Sequence, residues 1–428
     1  REDGRRLAGE RVDLLGEATI SDQEADRYRD RCLEALETLA QAARSWERAP
    51  LLEQDPLGAV PRVQLSLKIS ALSPHLDPID PEGSFDSVAR RLRPIVDAAM
   101  RAPASLIFDM EQAETKDLLI MIFTRLFMEP AYRTFPHAGL AVQAYHRATT
   151  QDVEAILAWA RQRGTPVTLR LVKGAYWDSD TIRYRQRGWP VPLFEHKAET
   201  DANYEVLVRT LLEASAVIRP AFGTHNLRTI AYIEAMAEQL RLSPVTWEYQ
   251  MIFGMAEPFQ EAVLRRGLRL RLYTPVGELL PGMAYLVRRL LENTSNESFL
   301  RKEFVESQSL STLLAPPAPT PADRPAAVPQ GFRNEPLRDF SVPEARSAMQ
   351  YAIDDVKAQL GKTWRSAADG LMLSGPLLPS YNPSRPEEIV GIVATAAAAD
   401  VEAAVRCADQ AWAAWRAVSW RTASCRRG

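Results

Sequence analysis

Short apolar runs rich in β-forming residues alternate with longer amphipathic runs from the start of the chain to about residue 300. This alternation is typical of repeated βα units that build a parallel sheet. Eight strands with interleaved helices favour a closed (βα)8 barrel, although the count alone leaves an open, doubly wound sheet possible. The strands are predicted at Arg11–Leu15, Gln64–Ser70, Ser105–Met110, Gly139–Tyr145, Val167–Lys173, Ala221–Thr224, Val245–Met251 and Leu268–Tyr273.

The segments between these strands have helical periodicity. A further barrel helix is predicted at Leu279–Glu292, because the Thr-Ser-Asn cluster that follows it is a turn signal. The other predicted helices are Asp22–Trp46, Phe85–Met100, Ala113–Phe127, Thr150–Arg163, Ala202–Ala216, Leu227–Leu240 and Pro258–Arg265.

The composition changes after the last predicted barrel helix. Residues 315–329 read APPAPTPADRPAAVP, and such a proline-alanine stretch predicts a semi-rigid linker. The remainder carries a helix near Glu344–Leu360, a short strand pair and an alanine-rich helix that Asp400 would cap. We therefore predict a barrel at 1–303, a linker at 304–331 and a smaller α/β segment at 332–428.

Charge and cysteine content exclude several other classes of protein. The net charge is −3 and the basic runs are short and mixed, which argues against nucleic-acid binding. Cys32, Cys407 and Cys425 have no CxxC spacing, so neither a disulfide framework nor a zinc site is predicted, and a reducing cytoplasm is the expected location. His146, His196 and His225 are too scattered to predict a metal site.

The two ends of the chain carry no membrane signal. No stretch approaches the roughly 18 uninterrupted apolar residues that a spanning helix needs, and the first residues, REDGRR, contain no signal-peptide core. Peripheral membrane contact stays open. Because the chain begins at Arg1 and ends in SCRRG, we expect it to be a fragment of a longer protein.

Polar residues recur where the predicted strands end, and parallel barrels carry their active sites at those carboxyl ends. A buried pair such as Lys68 with Asp109 could instead hold the barrel mouth together. Recurrence at one end favours a site, because a buried polar group without a partner costs free energy. The residues are Lys68, Ser70, Asp109, Glu111, Gln143, Tyr145, Arg170, Lys173, Thr224, His225, Glu248, Gln250 and Tyr273.

The helix AYLVRRLLEN places Tyr285, Arg288, Arg289 and Glu292 on one face. One interpretation is a solvated stripe in which Arg288 pairs with Glu292 while the aliphatic face, beginning with Leu286, packs inward. The other is a clamp for a small carboxylate, since two guanidinium groups form charge-assisted, bidentate hydrogen bonds.

The segment RLVKGAYWDSD joins a predicted strand to a glycine and two aromatic residues. Arg170 and Lys173 could neutralise phosphates or a reduced flavin, and Tyr176 and Trp177 could stack on a planar ring. The alternative is a basic strand end followed by a packed loop. The chain has no GxGxxG after a strand, no P-loop and no HExxH, so these motifs support neither a Rossmann cofactor site nor a metalloprotease site.

Nine motifs occur in a fixed order: DLLGEA (13–18), LSLKISAL (65–72), DME (109–111), VQAY (142–145), RLVKGAYWDSD (170–180), THN (224–226), EYQ (248–250), YTPVG (273–277) and YLVRRLLEN (285–293). On these motifs, residues 9–303 resemble the proline dehydrogenase barrel of the bifunctional proline utilisation A family. The segment FGMAEP (253–258) departs from the family, which often has HGMGEP.

The resemblance implies oxidation of L-proline to pyrroline-5-carboxylate by hydride transfer to FAD, with a quinone as electron acceptor and peripheral contact at the inner membrane face. Arg288, Arg289 and Lys68 would bind the proline carboxylate. Asp109 would pair with Lys68, and Glu292 would hold an arginine in place. Three tyrosines would wall the pyrrolidine ring: Tyr176, Tyr273 and Tyr285.

The resemblance also implies a set of cofactor-binding residues. Gln143, Arg170 and Lys173 would contact the flavin, and Trp177 would lie near the adenine. The remaining cofactor-binding residues would be Thr224, His225, Asn226 and Gln250, the first three of them at the ribityl or phosphate part of FAD.

The C-terminal segment resembles the beginning of an aldehyde dehydrogenase, through GPLLPSYNPSRPEEIVGIV (375–393) and DVEAAVRCADQAWAAW (400–415). The nucleotide fold and nucleophilic cysteine loop of such enzymes are not in the sequence, so we expect no aldehyde dehydrogenase activity from this chain. Two other interpretations of the barrel stay open: a non-catalytic fragment, and an enzyme that acts on another small carboxylate.

Overall fold

The computed structural model describes residues 8–14, 19–277, 282–283, 285–287, 314–318, 334–335, 337–364, 367–368, 371–372 and 374–418. The chain forms two compact units that divide between Ser341 and Val342, whereas the sequence placed the start of the second segment at 332. Most of the predicted helix at 279–292 and of the predicted linker lies outside the described residues.

Eight parallel strands close into a barrel: β1 (Ala8–Leu14), β2 (Val63–Leu67), β3 (Ala104–Phe108), β4 (Ala138–Gln143), β5 (Val167–Val172), β6 (Ile218–Gly223), β7 (Glu248–Ile252) and β8 (Leu270–Val276). Each strand pairs with the next along the chain, and β1 closes the barrel between β8 and β2. The predicted (βα)8 barrel is confirmed, and the open sheet is excluded.

Eight helices longer than one turn lie among the described residues up to Arg265: α1 (Asp22–Ala43), α2 (Pro81–Arg101), α3 (Lys116–Leu126), α4 (Thr149–Arg163), α5 (Trp177–Arg187), α6 (Lys197–Glu213), α7 (Leu227–Gln239) and α8 (Glu257–Arg265). Side-chain oxygens of Ser21, Asp80 and Asn226 accept backbone N–H groups at the starts of α1, α2 and α7. Gly164 and Gly188 end α4 and α5 in the left-handed conformation.

α5 and α6 differ most from the predicted helices, and α2 begins at Pro81 rather than at Phe85. α5 was not predicted, because its buried positions are Asp180, Thr181 and Tyr184 rather than an aliphatic stripe. α6 begins at Lys197 instead of Ala202, because the Glu199 carboxylate accepts the backbone N–H of His196 (3.1 Å) and satisfies the first turn.

The barrel strands are buried on both faces. Alternate residues of a strand face either the aliphatic core beneath the helices or the inside of the barrel. In β2, Val63, Leu65 and Leu67 belong to the aliphatic core beneath the helices. The alternate residues Gln64 and Ser66 face the inside of the barrel, where they bond to residues of β7 and β1. The inside of this barrel is therefore lined with polar groups, which orient one another by hydrogen bonds.

The amino-terminal end of the barrel is closed by a two-stranded hairpin at Gln54–Asp55 and Gly58–Ala59. The Asp55 carboxylate accepts from Arg219 Nε at 2.6 Å. Glu248, predicted at the carboxyl end of its strand, is instead the first residue of β7 and pairs with Arg271 (3.1 Å). That prediction was wrong because the strand begins three residues later than expected.

The C-terminal unit contains α9 (Pro343–Lys357), β9 (Thr363–Trp364), β10 (Ala367–Ala368), β11 (Leu371–Met372), β12 (Leu377–Asn382), β13 (Arg385–Ala394) and α10 (Ala398–Arg416). The sequence predicts a short strand pair in this segment; β12 and β13 pair antiparallel, and β9 runs parallel to β13. Asp400 lies inside α10, and its carboxylate accepts the backbone N–H groups of Ala397 (2.8 Å) and Ser374 (2.9 Å).

In the part of the chain that the structure describes, none of the helices has the length and apolar content needed to cross a membrane.

Candidate active site

Asp109 is the centre of a buried charge network at the carboxyl ends of the strands. Its Oδ1 accepts from Arg170 Nη2 (2.7 Å), Arg11 Nη2 (2.9 Å) and the Ser66 hydroxyl (3.0 Å). Burial alone would raise the pKa of Asp109, but Arg170, Arg11 and Lys68 outweigh it and lower the pKa to about 2. The carboxylate is therefore ionised at neutral pH.

Lys68 joins a second carboxylate to this network. Its ammonium lies 2.9 Å from both oxygens of Asp13 and 3.8 Å from Oδ2 of Asp109. The predicted pairing of Lys68 with Asp109 is thus the longer of two contacts, and Asp13 is the main partner. Burial opposes the charge of Lys68, but the two carboxylates outweigh it and raise its pKa.

Sequence reasoning did not assign Arg11, Asp13 or Ser66 to the site. Arg11 and Asp13 alternate along β1, and Ser66 alternates with aliphatic residues along β2. A buried strand with a charged residue at every second position carries that charge into the barrel. This period-two pattern was the available signal.

Two of the three predicted tyrosines lie against each other beside the network. The rings of Tyr273 and Tyr285 stack with centroids 6.3 Å apart and planes inclined by 20°. The Tyr273 hydroxyl donates to Asp13 Oδ2, and the Arg11 guanidinium lies 5.1 Å from the Tyr273 ring centroid. Tyr176 immediately precedes α5 and is half-buried.

Of the four residues predicted for the carboxylate clamp, only Tyr285 is among the described residues. Arg288, Arg289 and Glu292 lie outside the described residues. Tyr285 is 9% exposed, whereas Leu286 and Val287 are 46% and 45% exposed. The solvated-stripe interpretation required the opposite orientation, so it is wrong for the residues of this segment that the structure describes.

Arg170 has an unused hydrogen-bond donor. Its Nη2 contacts Asp109, but its Nε is buried and has no hydrogen-bond partner among the described residues. A buried donor without a partner is costly, and such groups in native proteins call for an explanation such as a bound molecule. Arg170 therefore indicates a ligand, as does Arg11 of the same network, whose Nε is also buried without a hydrogen-bond partner among the described residues.

Gln143 and Lys173 are more fully occupied. The Gln143 amide donates to the carbonyls of Met110 and Glu111 (both 3.2 Å). Lys173 donates to Asp201 at 2.5 Å; burial and the neighbouring Lys197 lower its pKa to about 8.

Gly174 fixes the loop that carries the two predicted aromatic residues. Its φ of 135° is in a region that favours glycine, and a Cβ atom there would lie 2.6 Å from the ring of Tyr145. The loop therefore packs directly on Tyr145 before α5 begins. Trp177, 37% exposed, donates from its indole nitrogen to the Phe194 carbonyl (2.8 Å).

The Thr224-His225-Asn226 motif has local structural roles. The Thr224 hydroxyl accepts the backbone N–H of Asn226 (3.1 Å), and Asn226 caps α7. His225 Nε2 accepts the backbone N–H of Ile252 (3.0 Å). Gln250 lies in the middle of β7 and accepts from Arg11 (2.8 Å), one layer below the barrel mouth.

Over the described ranges, no group of three or more His, Cys, Asp or Glu side chains could hold a metal ion.

A closed parallel barrel with buried, ionised side chains at the carboxyl ends of its strands defines the class of barrel enzymes. Residues 4–302 match the family model described as proline dehydrogenase. The chain therefore belongs to the proline dehydrogenase family, and membership implies a flavin cofactor.

The relatives are of two kinds. The bifunctional protein PutA of Klebsiella aerogenes is 28% identical over 418 residues, covering 92% of this chain and 31% of the relative. Proline dehydrogenase 1 of Bacillus subtilis is 24% identical, covering 68% of this chain and 80% of the relative. The chain thus spans about a third of the length of the bifunctional relatives it matches.

A solved structure is also similar. The crystal structure of proline utilization A from Bdellovibrio bacteriovorus, inactivated by N-propargylglycine, aligns with a TM-score of 0.89 and 41% identity. The alignment covers 97% of this chain and 44% of that one.

Proposed function

We propose that this chain oxidises L-proline to pyrroline-5-carboxylate with FAD and passes the electrons to a quinone. The observation that carries the proposal is the network at the barrel mouth. In the described contacts around Asp109 and Asp13, three cationic side chains (Arg11, Lys68 and Arg170) face two carboxylates. The excess positive charge is buried, where it attracts an anion far more strongly than it would in water.

The substrate proposed for this charge is the carboxylate of an amino acid. Lys68 has three N–H donors, of which two contact Asp13, so a third is available for a carboxylate oxygen. We propose that Arg288 and Arg289 supply the bidentate contacts. The stacked rings of Tyr273 and Tyr285, together with Tyr176, suit the apolar face of a five-membered ring.

The residues present also fit a flavin. Arg170 offers its buried Nε–H to a ring acceptor, and Lys173 adds positive charge near the end of the same strand. When bound, the flavin would accept the hydride removed from C5 of proline. We propose that Arg170 orients the ring and, with Lys173, stabilises negative charge that develops on it.

The other proposed cofactor contacts involve residues that already form hydrogen bonds within the protein. Gln143 would give up one of its two carbonyl partners to reach the flavin. Trp177 is exposed enough to cover an adenine. Thr224, His225, Asn226 and Gln250 are proposed as neighbours of FAD, and their present hydrogen bonds would hold the loops that shape its site.

The test is spectroscopic. The purified protein, supplied with FAD, is expected to show a flavin spectrum that L-proline bleaches under anaerobic conditions and that a soluble quinone restores. A protein that takes up no flavin would be a non-catalytic barrel. A flavin that is bleached by another cyclic carboxylate but not by proline would identify a different substrate.

Two further proposals concern the acceptor and the C-terminal unit. Because respiratory quinones reside in membranes, we propose peripheral contact with a lipid surface, which co-sedimentation of the reduced protein with vesicles would test.

We also propose that the chain does not reduce NAD with glutamate semialdehyde; formation of NADH by the purified chain would contradict this.

A further inference from the structure

Asp13 connects two residues that the proposed function uses, without itself belonging to the set that would touch the substrate. Both of its oxygens lie 2.9 Å from Lys68 Nζ. Its Oδ2 also accepts the hydroxyl of Tyr273, a contact that spans 260 positions of the sequence. Asp13 itself has no exposed surface.

The backbone of β1 fixes this position. Asp13 is paired in register with Ser66 on one side and with Pro275 on the other, so it lies where the first, second and eighth strands meet. A carboxylate held between two strands cannot follow a ligand, whereas the long side chain of Lys68 can. The lysine is therefore oriented by the aspartate rather than the reverse.

We propose that Asp13 is a positioning residue, which holds the Lys68 ammonium and the Tyr273 hydroxyl in place for the substrate carboxylate and ring. This inference rests on the proposed function. Without Asp13, Lys68 would retain Asp109 only at 3.8 Å, and Asp109 already accepts from Arg11, Arg170 and Ser66. Lys68 would then turn toward the crowded Asp109, away from the substrate position.

The charge of Asp13 also acts on the proton of Lys68. With both carboxylates present the pKa of Lys68 is raised, and loss of one lowers it because burial then has more effect. A cation that must stay protonated to bind a carboxylate would lose that ability at a lower pH. The titratable and charged groups around Lys68 come from α1, β1, β5 and β8, from the residues after β3 and from the loop before α5. They are Tyr28, Cys32, Arg11, Asp13, Asp109, Glu111, Arg170, Tyr176 and Tyr273.

The experiment compares Asp13→Asn with Asp55→Asn. Asp55 is a matched control, because it is another buried carboxylate paired with a cation, at the opposite end of the barrel. The probes are L-proline with a soluble quinone, for KM and kcat, and cyclopentanecarboxylate, for inhibition between pH 7 and 10. This inhibitor stays ionised over that range, so any alkaline loss of binding reports the protein.

For Asp13→Asn we expect KM and the inhibition constant to rise by about tenfold or more, with a smaller change in kcat. Because the pKa of Lys68 is raised, inhibitor binding by the wild type should not change up to pH 10, whereas Asp13→Asn should lose inhibitor binding within this range. Asp55→Asn should change neither, although it should lower the melting temperature. A folded Asp13→Asn protein with the KM and pH profile of the wild type would overturn the proposal.

Two further variants keep the test decisive. Asp13→Glu retains the charge but displaces it, so KM should rise while inhibitor binding stays constant up to pH 10, as in the wild type. An unchanged KM would count against positioning even if Asp13→Asn does not fold. Because Asp13 acts through Lys68 and Tyr273, adding Asp13→Asn to the double variant Lys68→Met/Tyr273→Phe should leave its KM unchanged, and a further rise in KM would overturn the proposal. If proline fails to bleach the wild-type flavin, the proposed function fails first, independently of these variants.

Discussion

The barrel and the C-terminal unit contain similar secondary structure but bury very different amounts of it. The barrel has a continuous core of strand and helix residues, including the edge-to-face rings of Phe108, Phe123 and Phe127. In the C-terminal unit, the described side chains include 16 exposed large hydrophobic residues, such as Tyr351 at 76% and Val405 at 63%. Regular helices and strands therefore do not by themselves make a stable unit. Stability requires that the unit bury enough apolar surface to offset the conformational entropy of ordering the chain.

The exposed apolar surface of the C-terminal unit is distributed over all its longer elements. It includes Met349 on α9, Leu378 on β12, Val393 on β13 and Trp412 on α10. The buried residues among its described side chains are Gly391, Ala394 and Asp400. We expect the folded state of this unit to depend on contacts that its own described residues do not provide.

The largest predicted effect follows from separating the two units. Residues 1–341 should unfold in urea in one cooperative transition, because they retain the whole barrel core. Residues 342–428 should show no cooperative transition and should bind a hydrophobic dye, because the apolar area they bury cannot offset the conformational entropy of ordering. Circular dichroism of the two fragments measures this, and a sharp transition of 342–428 would break the comparison.

The next effect contrasts one acid in each unit. Asp109→Asn should destabilise the protein by about 3 to 5 kcal/mol, since it leaves Arg11 and Arg170 buried without their shared carboxylate. Glu402→Gln, in an exposed pair with Arg406 (3.7 Å), should change stability by no more than about 0.5 kcal/mol. Urea unfolding of both variants measures the change in free energy of unfolding. Equal losses would show that burial does not determine how much each charged group contributes to stability.

The third effect concerns binding. Arg288→Met should raise the KM for proline about ten- to a hundredfold, because it removes a charge-assisted hydrogen bond worth roughly 1.5 to 3 kcal/mol. The same is expected for Arg289→Met. Both variants should keep their flavin, and inhibition by pyrrolidine, which lacks the carboxylate, should change little. Arg406→Met in the C-terminal unit is the control and should leave KM unchanged; unaltered proline binding in Arg288→Met and Arg289→Met would remove the active-site assignment of this helix.

The smallest effect is the pH dependence that histidines contribute, which is confined to the barrel unit because all five histidines precede residue 342. Burial lowers the pKa of His146 to about 3, from 6.5 when unfolded. Between pH 6.5 and pH 3 the unfolded chain therefore binds a proton at His146 that the folded chain does not bind. The contribution of neutral His146 to the free energy of unfolding is fully present above pH 6.5 and is lost as the pH decreases toward 3. By pH 5.5 His146 should cost about 1 kcal/mol. His146→Gln should flatten the decline in thermal stability; an unchanged decline would assign it elsewhere.

The sequence predicted the barrel well because strand burial and helix periodicity are local properties. Alternation in stretches such as Val63–Leu67 is visible without tertiary information. α5 was not predicted because its buried face is made of Asp180, Thr181 and Tyr184, which do not form an aliphatic stripe. The beginning of β7 was misplaced by three residues, which moved Glu248 to the wrong end of the barrel.

The sequence predicted which residues meet at the site more successfully than it predicted which of them pair with each other. Lys68, Asp109 and Arg170 do meet, as polar strand ends predict. Which carboxylate holds Lys68 depends on the register of β1 against β8 and β2, and register between distant strands is not encoded in the local pattern. The Thr224 and Asn226 side chains show the converse, since a polar motif next to a helix start also satisfies the helix itself.

The pairing of β1 with β8 has a consequence for how the protein is made. Tyr273 must be synthesised before Asp13 can contact it. During most of the synthesis of the chain, β1 therefore lacks its neighbouring strand β8. Such long-range closure is slow, and an unpaired strand is exposed to association with other chains in the meantime. The lysine and tyrosine that Asp13 holds therefore come together only once β8 has paired with β1, and a nascent chain that lacks β8 has no complete site.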